Sequence, residues 1–151
     1  MSGFAIRRLG DGDLDALRAM NACFDAAFGE DSDYRQAPPG DAYLRARLAD
    51  RSILLLVAET PAAEVVGALT AYVLDKCEQE RAEIFIYDLA VAARWRRRGI
   101  ATALIERTRA IARALGAWTV FLGADRGDTA PIALYSKLGR RQDVHHFDIA
   151  P

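Results

Sequence analysis

Apolar residues recur along this chain with two periods, and the alternation between them sets out the elements. From Asp11 to Gly29, Leu14, Leu17, Met20, Phe24 and Phe28 return every three or four positions. That is the spacing of one helix face, so a helix is predicted over 11–29, with Asp11 as its cap and Gly29 as its stop. "FAIRRL" (4–9) before it reads as a strand. "EDSDYRQAPPG" (30–40) is acidic, then rich in proline and glycine, and reads as a loop. Asp41 is placed to cap a short helix that carries Leu44 and Leu48.

The middle of the chain changes period. "SILLLVAE" (52–59) and "VVGALTAYVL" (65–74), joined by the turn "TPAAE", predict a hairpin. "EIFIYDLAV" (83–91) is apolar almost throughout, as a strand covered on both faces must be. A helix over 99–115 follows, with Ile100, Leu104, Ile111 and Leu115 on one face and Gly116 at its end. Then come a strand over "WTVFLGA" (118–124), a helix over "DTAPIALYSKLG" (128–139) with Asp128 as cap and Gly139 as stop, and a last strand over "DVHHFDI" (143–149). Strand 83–91, helix 99–115 and strand 118–124 form a βαβ unit, whose strands run parallel with a right-handed crossover. The fold class expected is α/β (α+β): a mixed, mostly antiparallel sheet flanked by helices, one domain over residues 1–151.

Charge narrows the function. Twenty Lys and Arg are balanced by 21 Asp and Glu, a formal net charge of −1. A dedicated nucleic-acid binder carries a basic excess, so nucleic acid is not expected as a partner. No apolar run reaches the length of a membrane span and "MSGFAIRRLG" lacks a signal-peptide core, so a cytoplasmic chain with no membrane partner is expected. Cys23 and Cys77 are far apart and read as two buried free thiols. His145 and His146 are adjacent and would face opposite sides of a strand, so no metal is expected.

The chemistry concentrates in "RWRRRGIATALIERTRA" (94–110), where Arg94, Arg96, Arg97 and Arg98 crowd before Gly99. The stretch sits between a central strand and a helix start. There the unpaired backbone N–H groups and their positive partial charge suit an anion, and glycine allows close approach. Arg96-x-x-Gly99-x-Ala101 is neither G-x-x-x-x-G-K-[ST] nor G-x-G-x-x-G, which disfavours an ATPase and a Rossmann dehydrogenase. By itself the pattern also fits a solvated basic turn.

In context, R-x-x-G-x-A (96–101) after "YDLAV" and before "LYSKLG" (134–139) resembles the GNAT superfamily of acetyl-CoA-dependent N-acetyltransferases. "VVGALTAYVL", "EIFIYDLAV", "RRRGIATALI", "LYSKLG" and "HFDI" are similar to the aminoglycoside 3-N-acetyltransferases of type I, the gentamicin-modifying group. The resemblance implies acetyl transfer from acetyl-CoA to the 3-amino group of a gentamicin-like aminoglycoside, by direct attack in a ternary complex. Antibiotic resistance and a homodimer come with it. It leaves open another amine (a polyamine, a protein N-terminus or lysine, a small metabolite) or a non-catalytic CoA-binding domain.

The same resemblance implies site roles. The pyrophosphate of CoA would lie on the backbone of Arg97, Arg98, Gly99, Ile100, Ala101 and Thr102, with Arg96 opening the motif. The pantetheine arm would pair with Leu89, Ala90 and Val91, an N–H near Leu89 polarising the acetyl carbonyl. Tyr135 would protonate the departing thiolate. Asp88 is the first candidate for the base, ahead of Tyr87 and Glu83; many relatives have glutamate where Tyr87 stands, and often asparagine where Asp128 stands. A polycationic acceptor calls for carboxylates, and Asp125, Asp128 and Asp148, then Glu30, Asp31 and Asp33, are the candidates.

Overall fold

The computed structural model describes residues 3–151; Met1 and Ser2 lie outside the described residues. Five strands form one sheet in chain order: β1 (Ala5–Arg8), β2 (Ile53–Glu59), β3 (Val65–Asp75), β4 (Ala82–Val91) and β5 (Thr119–Phe121). The first four pair antiparallel, and β4 and β5 are parallel, as the βαβ pattern requires. The helices are α1 (Leu14–Phe28), α2 (Asp33–Gln36), α3 (Asp41–Ala49), α4 (Ile100–Leu115) and α5 (Thr129–Leu138). The mixed, mostly antiparallel sheet flanked by helices is thus the fold expected from the sequence.

Strand alternation divides the core in two. Leu54, Leu56, Leu69, Ala71, Ile84 and Ile86 point toward α4, meeting Ile100, Leu104, Ile105 and Ile111. Leu55, Val57, Ala68 and Ala90 point the other way, onto Leu17, Met20 and Phe24 of α1 and Leu44 and Leu48 of α3. A period of two on the strands and of 3.6 on the helices suffices to build both layers.

Several expectations are corrected. Asp13, not Asp11, stands at the start of α1, where its carboxylate accepts from Gly10 N (2.8 Å) and Arg7 Nη1 (2.9 Å). The N–H and the arginine are stronger partners than water for an anion, and they hold the Asp13 carboxyl below its usual range despite the cost of desolvation. Gly40 caps α3; Asp41 lies in its first turn and pairs with Arg18. Asp128 stands at the start of α5 but makes no side-chain cap bond. The loop 30–40 contains the short helix α2, capped by Ser32 Oγ accepting from Tyr34 N (3.2 Å). Leu115 is half exposed at the C-terminal end of α4, next to the capping Gly116. Of 118–124 only Thr119–Phe121 is strand. Residues 143–149, expected as a strand, take no regular secondary structure and join no sheet. Cys23 is buried as expected, whereas Cys77 is exposed.

One contact sets how closely α4 approaches the sheet. A Cβ at Gly67 would lie 2.5 Å from Ile100 Cγ2 and 3.3 Å from the Ala58 Cβ. Ile100 is the first residue of α4 and fully buried, so the missing side chain lets the helix start rest on β3. Gly67→Ala is expected to destabilise the protein by about 1–3 kcal/mol, the usual cost of overpacking. In denaturant unfolding, combining it with Ile100→Ala should cost less than the sum of the two changes, because the second removes what the first strikes.

Candidate active site

The turn after β4 is built to expose backbone donors. Ala92 N donates to Val66 O (2.9 Å), and a 3-10 turn over Ala93–Trp95 follows. Arg97 then takes φ 62° and Gly99 φ 82°, both left-handed. Glycine bears this freely; for an arginine it is a strained choice that the flanking turns must hold. Alternating left- and right-handed residues turn successive N–H groups to one side, the concave arrangement that binds anions. The first backbone bond of α4 is Ala103 N to Gly99 O (2.9 Å). Among the described residues, no N–H from Arg97 to Thr102 has a backbone acceptor.

The arginines of the run have separate partners. Arg94 pairs with Glu64. Arg96 Nε reaches Val91 O at 3.4 Å. Arg98 lies over the ring of Trp95, 4.7 Å from its centre, and Trp95 packs against the core. Arg96, Arg97, Arg98 and Gly99 are exposed, while Ile100 behind them is buried.

Next to this turn β4 is left open along one side. Its parallel pairing with β5 runs only from Glu83–Thr119 to Phe85–Phe121. Beyond Phe85 the two strands part, so residues 86–91, Leu89, Ala90 and Val91 among them, have no β5 partner. The register with β3 shifts at the same place: Thr70 faces Asp88 and Ala71 faces Ile86, leaving Tyr87 as the extra residue of a bulge. Tyr87 is accordingly exposed, packing edge-on against Tyr72 (6.0 Å) and Phe85 (5.5 Å), while Phe85 stacks on Phe121 (4.8 Å).

Asp88 is half-buried and accepts a hydrogen bond from Tyr34 Oη at 2.5 Å. Burial pushes the Asp88 carboxyl up, the Tyr34 hydroxyl holds it down, and Asp33 pushes it up again. The Tyr34 phenol is raised well above its ordinary range by burial and by the carboxylate it serves. Tyr34 lies on α2 and stacks on Phe24 (5.0 Å). It was missed in the sequence because a single turn of helix has no periodicity to read.

Tyr135 is half-buried in a groove of about 300 Å³ between α4, β5 and α5, which Ile86, Val120, Leu122 and Leu138 also line. Its phenol is raised by burial and then by the nearby Asp128. Through Ile86 the groove reaches the unpaired stretch of β4. Glu83 lies at the other end of β4, accepting from Trp118 Nε1 (3.1 Å), with Lys76 Nζ at 3.9 Å; the structure does not bring it to Asp88. Asp33 is close enough to Asp88, and Asp128 to Tyr135, for their charges to be felt. Glu30, Asp31 and Asp125 are exposed, and Asp148 stands on the unpaired C-terminal segment, bonded to His146 (2.9 Å). Among the described residues no group of His, Cys, Asp or Glu is arranged to hold a metal ion, and no helix is long and apolar enough to cross a membrane.

Residues 16–139 match the model of the acetyltransferase (GNAT) family. The aminoglycoside acetyltransferase HMB0005, from an uncultured soil metagenomic sample, is 43% identical, with 98% of each chain covered and a TM-score of 0.94. The aminoglycoside acetyltransferase meta-AAC0020, also from soil and in complex with sisomicin, is 28% identical over 99% of this chain and 97% of its own, with a TM-score of 0.88. The ribosomal-protein-alanine N-acetyltransferase of Brucella melitensis biovar Abortus 2308, 23% identical over 97% and 99% with a TM-score of 0.76, shares the fold. Among curated proteins none matches the chain. The donor-lined turn before α4 and the strand left open beside it therefore belong to an acetyltransferase: the chain is a member of the GNAT family.

Proposed function

We propose that the protein transfers an acetyl group from acetyl-CoA to an amine of an aminoglycoside, the 3-amino group being the expected position. The observation that carries this reading is the 43% identity over 98% of both chains with an aminoglycoside acetyltransferase.

The residues present suit the donor. The free N–H groups from Arg97 to Thr102 offer a phosphate-binding concavity, with Arg96, Arg97 and Arg98 adding charge around it. The unpaired backbone of residues 86–91 offers the peptide-like arm of CoA a strand to pair with. Asp88, within that stretch, and the aromatic cluster of Tyr72, Phe85, Tyr87 and Phe121 suit a polycation, through charge and through the negative faces of the rings.

The proposed reaction is one displacement. The neutral amine nitrogen attacks the thioester carbonyl carbon, the C–S bond breaks, and the sulfur leaves with the electron pair. Tyr135 supplies its phenolic proton to that sulfur, and the half-buried Asp88, directly or through water, takes the proton the nitrogen sheds. A phenol raised by burial stays protonated at neutral pH, the state an acid must start from. In cells this acetylation would remove a charge from the antibiotic and confer resistance.

Thiol release from acetyl-CoA, measured against a panel of aminoglycosides, spermidine and a lysine peptide, tests the acceptor. Turnover is expected with gentamicin and sisomicin; robust turnover of another amine and none of these would overturn the reading. Product mass and NMR would locate the acetyl group. Tyr135→Phe should lower kcat on the order of 10²-fold with an unchanged KM for acetyl-CoA. Tyr34→Phe removes the hydrogen bond that favours the ionised form of Asp88, so the Asp88 carboxyl rises further. Because the carboxylate is the active form of the base, the acid limb of the kcat/KM profile should move to higher pH. A limb that stays in place would remove Asp88 from the base role.

A further inference from the structure

Of the four arginines before α4, two are already engaged and two are free. Arg94 pairs with Glu64, and Arg96 Nε is turned back to Val91 O (3.4 Å). Among the described residues, the side chains of Arg97 and Arg98 make no ion pair and no hydrogen bond. These two are held differently. Arg97 is exposed, and its left-handed φ of 62° serves the backbone, shaping the concave turn. Arg98 lies over Trp95, 4.7 Å from the ring centre. That ring is itself fixed. It ends the 3-10 turn, packs against the core under α4, and has Gly3 beside its edge, where a Cβ would come within 3.5 Å.

A guanidinium above an aromatic face keeps its five N–H donors at the rim of its own plane. Arg98 is therefore a cation with a fixed seat and no acceptor. A side chain already held in place loses less freedom when it takes a ligand.

Coenzyme A carries more charge than the backbone of the turn accounts for. The N–H groups from Arg97 to Thr102 suit its pyrophosphate. The ribose also bears a phosphomonoester, the 3′-phosphate, which has a charge near −2 at neutral pH and three strong acceptor oxygens. Donors occupied by the pyrophosphate are not free to serve it. A guanidinium fork matches such a group in shape and in charge, whereas an ammonium matches it in charge alone.

We propose that Arg98, seated on Trp95, takes the 3′-phosphate of the donor and makes the protein prefer acetyl-CoA to a donor without that group. Arg97 carries the same charge one residue away and strengthens the field around the turn without choosing between the two donors. The proposal rests on acetyl-CoA being the donor, as in the function proposed above, and on nothing about the acceptor.

Titration calorimetry of the full chain with CoA and with 3′-dephospho-CoA tests it without any turnover. At an ionic strength of ~0.15 M, where exposed charges are screened beyond a few ångströms, only a direct contact should separate the two ligands. Wild type is expected to bind CoA at least ~10-fold tighter than 3′-dephospho-CoA. In Arg98→Gln the preference should fall below ~3-fold through weaker CoA binding, with 3′-dephospho-CoA within about 2-fold of wild type. Arg98→Lys keeps the charge without the fork and should keep less than about half of the preference. Arg97→Asn places a residue that accepts the left-handed φ, so it should weaken both ligands by a similar factor and keep their ratio. A wild type without preference overturns the inference. So does an Arg98→Gln or Arg98→Lys protein that keeps the full preference, or an Arg97→Asn protein that loses it as completely as Arg98→Gln. If neither ligand binds, the donor reading fails and the inference with it; if both bind alike, the donor reading stands and the role of Arg98 alone fails.

Discussion

The seat of α4 on the sheet is the constraint on which the rest depends. Ile100 Cγ2 occupies the space that a side chain on β3 would otherwise fill, and only a glycine at position 67 leaves it free. From that contact the helix runs back over Leu104, Ile105 and Ile111, closing the larger half of the core. Its N-terminus is fixed just behind the exposed turn. The donors from Arg97 to Thr102 therefore stand on a rigid base rather than on a free loop. This matters because a concave set of N–H groups binds an anion well only when it is already formed.

The second determinant is a pair of irregularities in β4. Parallel pairing with β5 stops at Phe85, and two residues later the bulge at Tyr87 shifts the register with β3. One opens a strand edge, and the other rotates a side chain out to solvent while turning Asp88 toward Tyr34. Both occur within a strand that is otherwise mostly apolar. A regular strand there would have been better paired, and it would have presented neither an open edge nor an accessible carboxylate.

Most of the architecture was legible because it rests on local periods. Leu54 to Ala58 alternate between two helical layers, and Leu17, Met20 and Phe24 mark one face of α1, as spacing alone predicts. What was illegible is tertiary. α2 is one turn long within a polar, proline-containing stretch, so neither it nor the Tyr34–Asp88 bond has a sequence signal beyond Ser32 as a cap. Asp11 and Asp13 are equivalent as caps until Arg7 and the Gly10 N–H choose the second. The segment 143–149 has the alternation of a strand, but alternation does not supply a neighbour, and the segment joins no sheet. In the candidate site, the order of "YDLAV", the R-x-x-G-x-A turn and "LYSKLG" was readable, while the position of Glu83, far along β4 and held by Trp118, was not.

The strand order of the sheet is the order of the chain, with the first four strands in antiparallel succession and one short parallel pair at the end. The hairpins β2–β3 and β3–β4 need only short loop closures, whereas the β4–β5 pair must wait for α4 and the β1–β2 pair for α1 to α3. The local part of the sheet is thus the three-stranded meander β2–β3–β4, and both edge strands join it across helices. The more thinly held of the two edges is the one at β5, a three-residue strand followed by a helix without a buried residue. Tyr135 rides on that thinly held edge, whose local opening would leave the β2–β3–β4 meander and both core layers in place.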